Sequence, residues 1–157
     1  MKINMIVAME TNNGIGLKNE LPWNIPKDMK YFRDKTIGNG NNAVVMGRNT
    51  YLSIGKPLKK RDNIVVSTTM SLQDGVIILN NPEYVFDLEG YDEVWIIGGA
   101  QLYTYFINKS NFIDEIYITR VKGSYECDAF FPKVPDHLIK TELYSDDNLS
   151  FEVYRSK

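Results

Sequence analysis

A single carboxylate near the start of the chain has the setting that most suggests chemistry. In the segment ELPWNIPKDMKYF, residues 20 to 32, Pro26 suits the first position of a helix, which places Asp28 in the first helical turn. The helix dipole favours an acid there by roughly 0.3–1 kcal/mol, which explains Asp28 without any function. Asp28 also shares a helix face with Phe32 and lies beside Met29, and a buried carboxylate needs a hydrogen-bonding or ionic partner. Because that face carries no basic residue, a ligand with paired N–H donors is the second explanation.

A different signal lies where apolar runs end in glycine or hydroxyl residues, as they do in phosphate-binding sites. The segment VVMGRNTYLSI places Gly47 before Arg48, Asn49 and Thr50 at a helix start. Free backbone N–H groups, the helix dipole and a guanidinium can converge there on an anion. A tight turn at Gly47 and an N-cap at Thr50 would explain the same residues without a ligand, and this segment alone leaves both interpretations open.

Two further strand ends carry related signals. In VWIIGGAQLYTYF, Gly98 and Gly99 let the backbone approach a ligand closely, although Gly-Gly turns also serve packing. The run NIVVSTT ends in Ser67 and Thr68 without an acid, and hydroxyls with an arginine favour NADP where an acid would select NAD. The segment GIGLKN, residues 14 to 19, lacks the third glycine of the dinucleotide fingerprint. Only the combination of the three strand ends favours a phosphate-binding site over ordinary turns.

The composition argues against several other kinds of chemistry. The 157 residues carry a formal net charge of -2 without a long run of one sign, so neither nucleic acid nor a membrane surface is indicated as a partner. The chain has one cysteine, Cys127, which excludes an internal disulfide. It also has one histidine, His137, so metal sites and nucleophilic triads have little support. We therefore expect no metal. The length suits a single domain, residues 1–157, which we expect to be a monomer. Because no segment resembles a signal peptide or a membrane span, we expect the protein in the reducing cytoplasm.

Short, β-branched apolar runs must form the frame that positions these residues. Five of them are nearly continuous in apolarity, which is typical of strands covered on both faces, and they cover residues 3–9, 43–46, 63–67, 76–79 and 93–97. Helices are predicted between them, at residues 27–36, 50–54, 83–88 and 100–108. This alternation predicts an α/β fold.

The last third of the chain changes pattern. Longer strand runs follow without helices, at residues 112–121, 137–145 and 150–156, and the last two form a predicted antiparallel hairpin at the sheet edge. By composition, residues 10–20 and 36–42 are flexible loops. Because the first of these loops follows a strand directly, the ligand site is expected at the carboxyl ends of the strands.

The same segments, taken in order, resemble one known family. GIGLKNELPW, PKDMKYF, VVMGRNTYLSIGKPLKKRDNIVVS, VWIIGGAQLY, IYITRV and CDAFFP occur in the order and spacing of dihydrofolate reductases. The resemblance covers nearly the whole chain and implies an eight-stranded, mainly parallel sheet with helices on both faces and a C-terminal antiparallel strand. It also implies NADPH-dependent reduction of 7,8-dihydrofolate to 5,6,7,8-tetrahydrofolate, in support of one-carbon metabolism and thymidylate synthesis, and a target for antifolates.

The resemblance assigns a substrate site. Asp28 would accept hydrogen bonds from the 2-amino group and N3 of the pterin, and Thr119 would brace its carboxylate. Arg61, in the basic cluster KPLKKR, would bind the α-carboxylate of the glutamate tail as a bidentate pair. The implied substrate-binding residues are Ile6, Val7, Asp28, Met29, Phe32, Ile54, Lys56, Leu58, Arg61, Ile97 and Thr119.

The resemblance also assigns a cofactor site. The residues from Gly47 to Thr50, with Ser67 and Thr68, would bind the phosphates on the adenosine side. The residues from Gly98 to Tyr103 would bind the pyrophosphate and the nicotinamide, with a cis bond between Gly98 and Gly99. The implied NADPH-binding residues are Ala8, Ile15, Gly16, Asn19, Gly47, Arg48, Asn49, Thr50, Ser67, Thr68, Gly98, Gly99, Ala100, Gln101, Leu102 and Tyr103.

The implied mechanism is hydride transfer from nicotinamide C4 to pterin C6, with protonation at N5. Because N5 lies away from Asp28, a water is the expected proton donor, and Asp28 would orient and polarise the pterin. The loop 10–25, with Leu21 at its tip, would close over the nicotinamide and control the access of water. The implied catalytic residues are Asp28, Leu21, Trp23, Thr119 and Tyr103.

Two other functions fit parts of the same pattern. A pyrimidine reductase of riboflavin synthesis would share the fold and NADPH, but Asp28 and Arg61 argue against it. A non-catalytic protein that binds a pterin or a nucleotide could also keep the fold. Activity on dihydrofolate or on a ribosylaminopyrimidine separates the first alternative, and any turnover excludes the second.

Overall fold

The apolar runs of the sequence form the strands of one large sheet. The computed structural model describes residues 1–18 and 20–156. In chain order its elements are β1 (Lys2–Met9), β2 (Gly14–Gly16), α1 (Pro26–Ile37), β3 (Asn42–Gly47), α2 (Arg48–Ile54), β4 (Asp62–Val66), β5 (Val76–Leu79), a 3₁₀ helix (Pro82–Asp87), β6 (Glu93–Ile96), α3 (Ala100–Ile107), a second 3₁₀ helix (Ser110–Phe112), β7 (Glu115–Val121), β8 (Ala129–Phe130), β9 (Ile139–Ser145) and β10 (Leu149–Arg155). None of the helices within these residues is long and apolar enough to cross a lipid bilayer.

The large sheet has eight strands in the order β5-β4-β3-β6-β1-β7-β10-β9. All neighbours from β5 to β7 are parallel, whereas β10 runs antiparallel to both β7 and β9. The predicted eight-stranded, mainly parallel sheet with a C-terminal antiparallel strand is therefore confirmed. Because β1, β3, β4, β5 and β6 run in one direction, their carboxyl ends meet at one edge, where parallel sheets usually bind ligands.

Helices cover both faces of the sheet, as predicted. Alternate residues of each buried strand point to opposite faces, and two apolar clusters follow that alternation. One, here called the α1 layer, holds Ile6, Val44, Met46, Tyr51, Val65, Trp95, Ile97, Tyr117 and Val153, with Tyr31, Phe32, Ile54 and Leu58 of α1, α2 and the loop after α2 packed against it. The other, the α3 layer, includes Met5, Val7, Met9, Val45, Ile64, Ile96, Leu102, Tyr103 and Phe106.

Two local predictions were wrong. The helix expected at 83–88 is a 3₁₀ helix, Pro82–Asp87, capped by the Asn81 side chain, which accepts the backbone N–H of Glu83 at 2.9 Å. The helical segment is six residues long, and 3₁₀ geometry typically occurs in such short pieces. The predicted flexible loop 10–20 contains the strand β2, which pairs with β8 in a second, two-stranded sheet. This pairing joins segments more than a hundred residues apart, so no local pattern predicts it.

The carboxylate of Glu10 holds the start of the loop after β1 in place. Glu10 is only 1% exposed, and its Oε1 accepts the backbone N–H groups of Asn12 and Gly14, each at 2.7 Å. Its Oε2 accepts the backbone N–H of Tyr125 at 3.4 Å, in the segment between β7 and β8. A Cβ at Gly14 would lie 2.4 Å from Sγ of Cys127, so only glycine fits between the two segments. The loop after β1 is thus tied to the loop after β7.

Candidate active site

Asp28 lies in the first turn of α1 and is 7% exposed. Pro26 starts the helix, and the backbone N–H of Asp28 donates to the carbonyl of Ile25 at 3.0 Å, so the turn that carries the carboxylate is well formed. Burial raises the pKa of Asp28 above its ordinary value, and hydrogen-bonding groups of Thr119 and Trp23 oppose that rise. The negative charge of Asp28 also helps raise the pKa of Tyr103, after burial. The carboxylate is therefore placed where its ionised form needs further hydrogen-bond donors.

Two predicted catalytic residues hold fixed positions beside this carboxylate. Thr119 lies in β7, opposite Ala8 of β1 and Phe151 of β10, and is 2% exposed. Trp23 is also buried, and its ring meets that of Tyr125 edge-on, with 5.5 Å between centroids. Its Nε1 is buried and makes no hydrogen bond of good geometry to a described residue, but it lies near enough to Asp28 to lower the pKa of that carboxyl. The indole N–H and the carboxylate are therefore neighbours.

The floor of the site is formed by the α1 layer. Five of the predicted substrate-binding side chains belong to it, namely Ile6, Phe32, Ile54, Leu58 and Ile97. A planar apolar ligand that entered between α1 and the sheet would contact these side chains and reach the carboxylate of Asp28. The fold therefore brings these five side chains together on the face of the sheet that α1 covers.

Two predicted substrate contacts lie elsewhere. The side chain of Val7 packs in the α3 layer, because neighbouring residues of a strand point to opposite faces, so only its backbone faces the same space as Ile6. Met29 is 59% exposed and does not belong to the α1 layer. Leu21 is similarly exposed, at 52%, in the loop before α1. Both are thus surface residues, Leu21 in the loop before α1 and Met29 in the first turn of α1.

Arg61 lies at the far end of α1 from Asp28. Its Nη1 donates to the hydroxyl of Thr36 at 3.0 Å and its Nε to the carbonyl of Lys59 at 2.8 Å. Burial, and then the charge of Arg33, lower the pKa of Arg61. Among the residues that the structure describes, no carboxylate lies within 4.0 Å of its guanidinium. Nη2 and one hydrogen of Nη1 remain available to an anion, while Lys56 is exposed nearby in sequence.

A groove of about 780 Å³ runs along the carboxyl ends of the strands. Most of the predicted cofactor-binding residues line it, namely Ile15, Gly16, Gly47, Arg48, Asn49, Thr50, Ser67, Thr68, Gly99, Ala100, Gln101 and Leu102. They come from three separate strand ends and from the loop after β1, as the sequence predicted. Its charged lining residues within the described chain are Arg48 and Glu20.

Glycines bring the walls of this groove together. The backbone N–H of Gly47 donates to the carbonyl of Gly98 at 2.8 Å, which joins the ends of β3 and β6. Gly98 has φ of +120°, and a Cβ there would lie 3.2 Å from the ring of Tyr103. The bond between Gly98 and Gly99 is cis, as the resemblance implied. A side chain at Gly98 would be strained by both its backbone angle and this contact.

Three predicted cofactor residues do not line the groove. Gly98 lies behind it, and Tyr103 is buried in the α3 layer, where its hydroxyl donates to the carbonyl of Ile6 at 2.7 Å. Ala8 shares a strand face with Ile6 and lies on the Asp28 side of the sheet. Asn19 falls outside the residues that the structure describes.

Other lining residues were missed by the sequence. Besides Glu20, they are Val66, Thr69, Asn80, Pro82, Tyr105 and Ala129. Asn80 and Pro82 follow β5 directly, so the rule that ligands bind at the carboxyl ends of strands could have found them. Tyr105 lies within a helix, where nothing in the local sequence distinguishes a groove-lining residue from one that packs on the core.

Comparison with known proteins identifies a family for this arrangement. A family model described as dihydrofolate reductase matches residues 2–152. The dihydrofolate reductase of Schistosoma mansoni is 41% identical, covering 91% of this chain and 85% of that protein. Those of Drosophila melanogaster and Haemophilus influenzae are 39% and 38% identical, and cover 93% and 85% of this chain and 87% and 81% of their own lengths.

The burial of Asp28 predicts a stability effect with a definite sign. Because the pKa of Asp28 is higher in the folded protein than in the unfolded chain, folding is opposed as pH rises through the interval between the two values. The Asp28→Asn variant should therefore unfold at a higher temperature than the wild type at pH 7, by about 2–4 °C if the gain is about 1 kcal/mol. The gain should shrink as pH falls towards the ordinary carboxyl value of 3.8. Thermal unfolding of the ligand-free proteins between pH 4 and pH 8 measures this.

Asp34→Asn is the matched control for this comparison. Asp34 lies on the same helix but is exposed and paired with Lys30, which lowers the pKa of Asp34. Its replacement should not raise the unfolding temperature. A stabilisation by Asp28→Asn that did not depend on pH, or a loss of stability, would contradict the burial argument.

Proposed function

Because the chain belongs to the dihydrofolate reductase family and is an oxidoreductase that reduces dihydrofolate, we propose that the Asp28 cleft binds the pterin and that the adjoining groove binds NADPH. The observation that carries this proposal is the position of one buried carboxylate beside a groove lined by the ends of four parallel strands. Ile97, in the α1 layer, is two residues from Gly99, in the groove wall, so a ligand held at Asp28 and a ligand held in the groove would be neighbours.

The groove has the chemistry that a dinucleotide phosphate requires. The helix α3 begins at Ala100 without a side-chain cap, so its first backbone N–H groups are free to donate to a phosphate. Arg48 is exposed in the groove wall, and Ser67 and Thr68 add hydroxyl groups at the end of β4. No acid follows β4, which favours a cofactor with a 2′-phosphate over one with a free ribose hydroxyl. The residues present therefore fit NADPH.

The cleft has the chemistry that a pterin requires. The 2-amino group and N3 of the ring are paired N–H donors, and the ionised Asp28 can accept both. These hydrogen bonds would satisfy the carboxylate whose burial is otherwise unfavourable. The apolar side chains of Ile6, Phe32 and Ile97 would enclose the rest of the ring.

Arg61 fits the distal end of the same substrate. Its guanidinium is partly buried and has no carboxylate partner among the described residues. Three of its N–H hydrogens remain free, and two of them, one on each terminal nitrogen, can bind a carboxylate as an end-on pair. The α-carboxylate of the glutamate tail would supply that partner. Thr36 holds the guanidinium from the last turn of α1, so one helix carries Asp28 at its start and orients Arg61 at its end.

The reaction divides into tasks for particular residues. NADPH, when bound, supplies the hydride that adds to pterin C6. Asp28 orients and polarises the ring, and because N5 lies away from this carboxylate, a water delivers the proton there. Leu21, exposed in the loop 10–25, covers the site and limits the access of water. Tyr103 acts as a positioning residue, because its hydroxyl holds the backbone of Ile6 and its ring packs behind Gly98.

The setting that we propose is a monomer in the cytoplasm. The single cysteine, Cys127, is a free thiol, which suits a reducing compartment. The substrate and the cofactor are small molecules, and a formal net charge of -2 does not favour nucleic acid as a partner.

The substrate assignment predicts the effect of removing the charge of Asp28. NADPH oxidation with dihydrofolate should be readily measured for the wild type at pH 7. In Asp28→Asn, kcat/KM should fall by roughly 10- to 150-fold, because hydrogen bonds to a charged group are worth about 1.5–3 kcal/mol. Asp34→Asn, on the exposed side of the same helix, should leave kcat/KM unchanged. An Asp28→Asn enzyme within twofold of the wild type would overturn the role of Asp28.

The cofactor assignment predicts a change in selectivity. In Arg48→Gln, KM for NADPH should rise by about 10- to 150-fold while KM for NADH changes little, because the lost charge-assisted bond involves only the 2′-phosphate. Lys133→Gln, an exposed lysine far along the chain, is the control for a general loss of positive charge. An equal rise in KM for NADPH and for NADH would show that Arg48 does not bind the 2′-phosphate.

A further inference from the structure

The first turn of α1 carries Asp28 but has no capping side chain of its own. Ile25 occupies the N-cap position, and an isoleucine side chain cannot accept the free backbone N–H groups of that turn. Helix ends without such a cap tend to fray. A carboxylate that must meet paired N–H donors needs a fixed position. The first turn of α1 therefore requires restraint from another element.

The hairpin of β9 and β10 supplies such a restraint. Nζ of Lys27 donates to Oδ2 of Asp146 at 2.7 Å and to the hydroxyl oxygen of Tyr144 at 2.6 Å. The hydroxyl of Tyr144 donates to the same oxygen of Asp146 at 2.9 Å. The ammonium group also lies 4.7 Å from the centroid of the Tyr144 ring. These three residues, here called the Lys27 clamp, join the first turn of α1 to the last hairpin of the sheet.

The carboxylate of Asp146 is itself held in place. Its Oδ1 accepts the backbone N–H groups of Asn148 and Leu149 at 2.8 Å and 3.0 Å, so the side chain is part of the turn between β9 and β10. Lys122, directly after β7, donates to the carbonyl of Asp146. The hydrogen bond from Lys27 holds the pKa of Asp146 below its ordinary value, and the same bond raises the pKa of Lys27. Both groups of the ion pair are therefore charged at neutral pH.

A second contact joins α1 to the same hairpin one turn later. Tyr31 lies four residues after Lys27 and so on the same side of the helix. Its ring stacks on that of Phe151 in β10, with 3.9 Å between centroids and an angle of 6°. Phe151 is the cross-strand partner of Thr119, and its ring lies 5.7 Å from that of Tyr144. Two successive turns of α1 thus contact the hairpin.

The neighbouring side of these two turns faces the cleft. Asp28 and Phe32 are also four residues apart, and they lie about 100° around the helix from Lys27 and Tyr31. Phe32 packs against the α1 layer. Because these four residues belong to one rigid helix, the contacts with the hairpin determine how far the carboxylate of Asp28 enters the cleft.

We propose that the Lys27 clamp holds the first turn of α1 where Asp28 can bind the pterin, so that Lys27, Tyr144 and Asp146 are positioning residues for the reduction. This inference rests on the proposed function, because it acts through the role assigned to Asp28. None of the three residues lines the groove or belongs to the α1 layer. The clamp therefore affects the substrate through Asp28 and does not touch it.

Breaking the clamp should weaken catalysis with dihydrofolate. In Lys27→Met and in Asp146→Asn, kcat/KM for dihydrofolate should fall by about 3- to 10-fold, because a small displacement of a group that orients the substrate is costly. Kd for NADPH should not change. The two substitutions change the net charge in opposite directions, so a purely electrostatic effect on the anionic substrate would change kcat/KM in opposite directions. Lys27→Arg, which can keep the ion pair, should retain most of the wild-type kcat/KM.

The sharpest comparison is made in the Asp28→Asn background. If the clamp acts through Asp28, the addition of Lys27→Met to Asp28→Asn should lower kcat/KM by less than about twofold, because effects that act through one group are not additive. The double variant Lys27→Met/Asp146→Asn should be no more impaired than either single variant, since each substitution breaks the same pair. A general structural role would lower kcat/KM by the same factor in both backgrounds.

Lys30→Met is the matched control. Lys30 lies on the same helix, but its ammonium group is paired with Asp34 of α1 and not with the sheet. Its replacement removes the same charge from α1 and should leave kcat/KM for dihydrofolate unchanged. Thermal unfolding shows whether each variant is folded. Because the side chain of Lys27 is half exposed, Lys27→Met remains informative if Asp146→Asn does not fold.

The outcomes separate this inference from the proposed function. If Asp28→Asn is impaired but Lys27→Met and Asp146→Asn reduce dihydrofolate as the wild type does, the clamp is overturned and the role of Asp28 stands. If Lys27→Met costs the same factor with and without Asp28, the clamp does not act through this carboxylate and the inference is again overturned. If Asp28→Asn is as active as the wild type, the proposed role of Asp28 fails and the clamp fails with it.

Discussion

The burial of the Asp28 carboxylate is the constraint on which the rest of the site depends. A carboxylate in the first turn of α1 is favoured by the helix dipole, but its position against the apolar α1 layer removes most of the water that would stabilise its charge. Thr119 and Trp23 offset only part of that cost, since the pKa of Asp28 still lies above its ordinary value. The folded protein therefore holds an anion that gains stability when a ligand donates hydrogen bonds to it.

The topology connects this anion to the groove. β1 lies between β6 and β7, so one small region of the sheet contributes Ile6, Thr119 and the glycine turn after Ile97. The backbone contact between Gly47 and Gly98 then brings the ends of β3 and β6 together, which continues the groove towards β4 and β5. A substrate held at Asp28 and a cofactor held along the strand ends would meet at the turn between Ile97 and Gly99.

The sequence predicted the parts of this arrangement that follow from local patterns. The strand runs of the sequence predicted all eight strands of the large sheet, and glycine or hydroxyl residues after those runs predicted three of the four parallel-strand ends that line the groove. The errors concern features that depend on distant contacts. The strand β2 exists because residues near Gly14 pair with Phe130, and the segment after Asn81 forms a 3₁₀ helix of six residues where a helix at 83–88 was predicted. Val7 was placed in the substrate site although strand alternation turns its side chain to the other face. Tyr105 could not be found, because nothing in the local sequence of α3 distinguishes a residue that lines the groove from one that packs on the core. The residue roles themselves came from the family resemblance.

The most direct test of the account is the titration of Asp28 itself. Carbon-13 NMR of the labelled aspartate carboxyl groups, assigned with the Asp28→Asn variant, gives the pKa of Asp28 in the free protein and in the complex with folate. We expect the pKa of Asp28 to lie above the ordinary value of 3.8 in the free protein and to fall when the ligand binds, because N–H donors favour the ionised form. An ordinary pKa in the free protein, or a pKa that folate does not change, would contradict the claim that the ligand is the missing partner of this carboxylate.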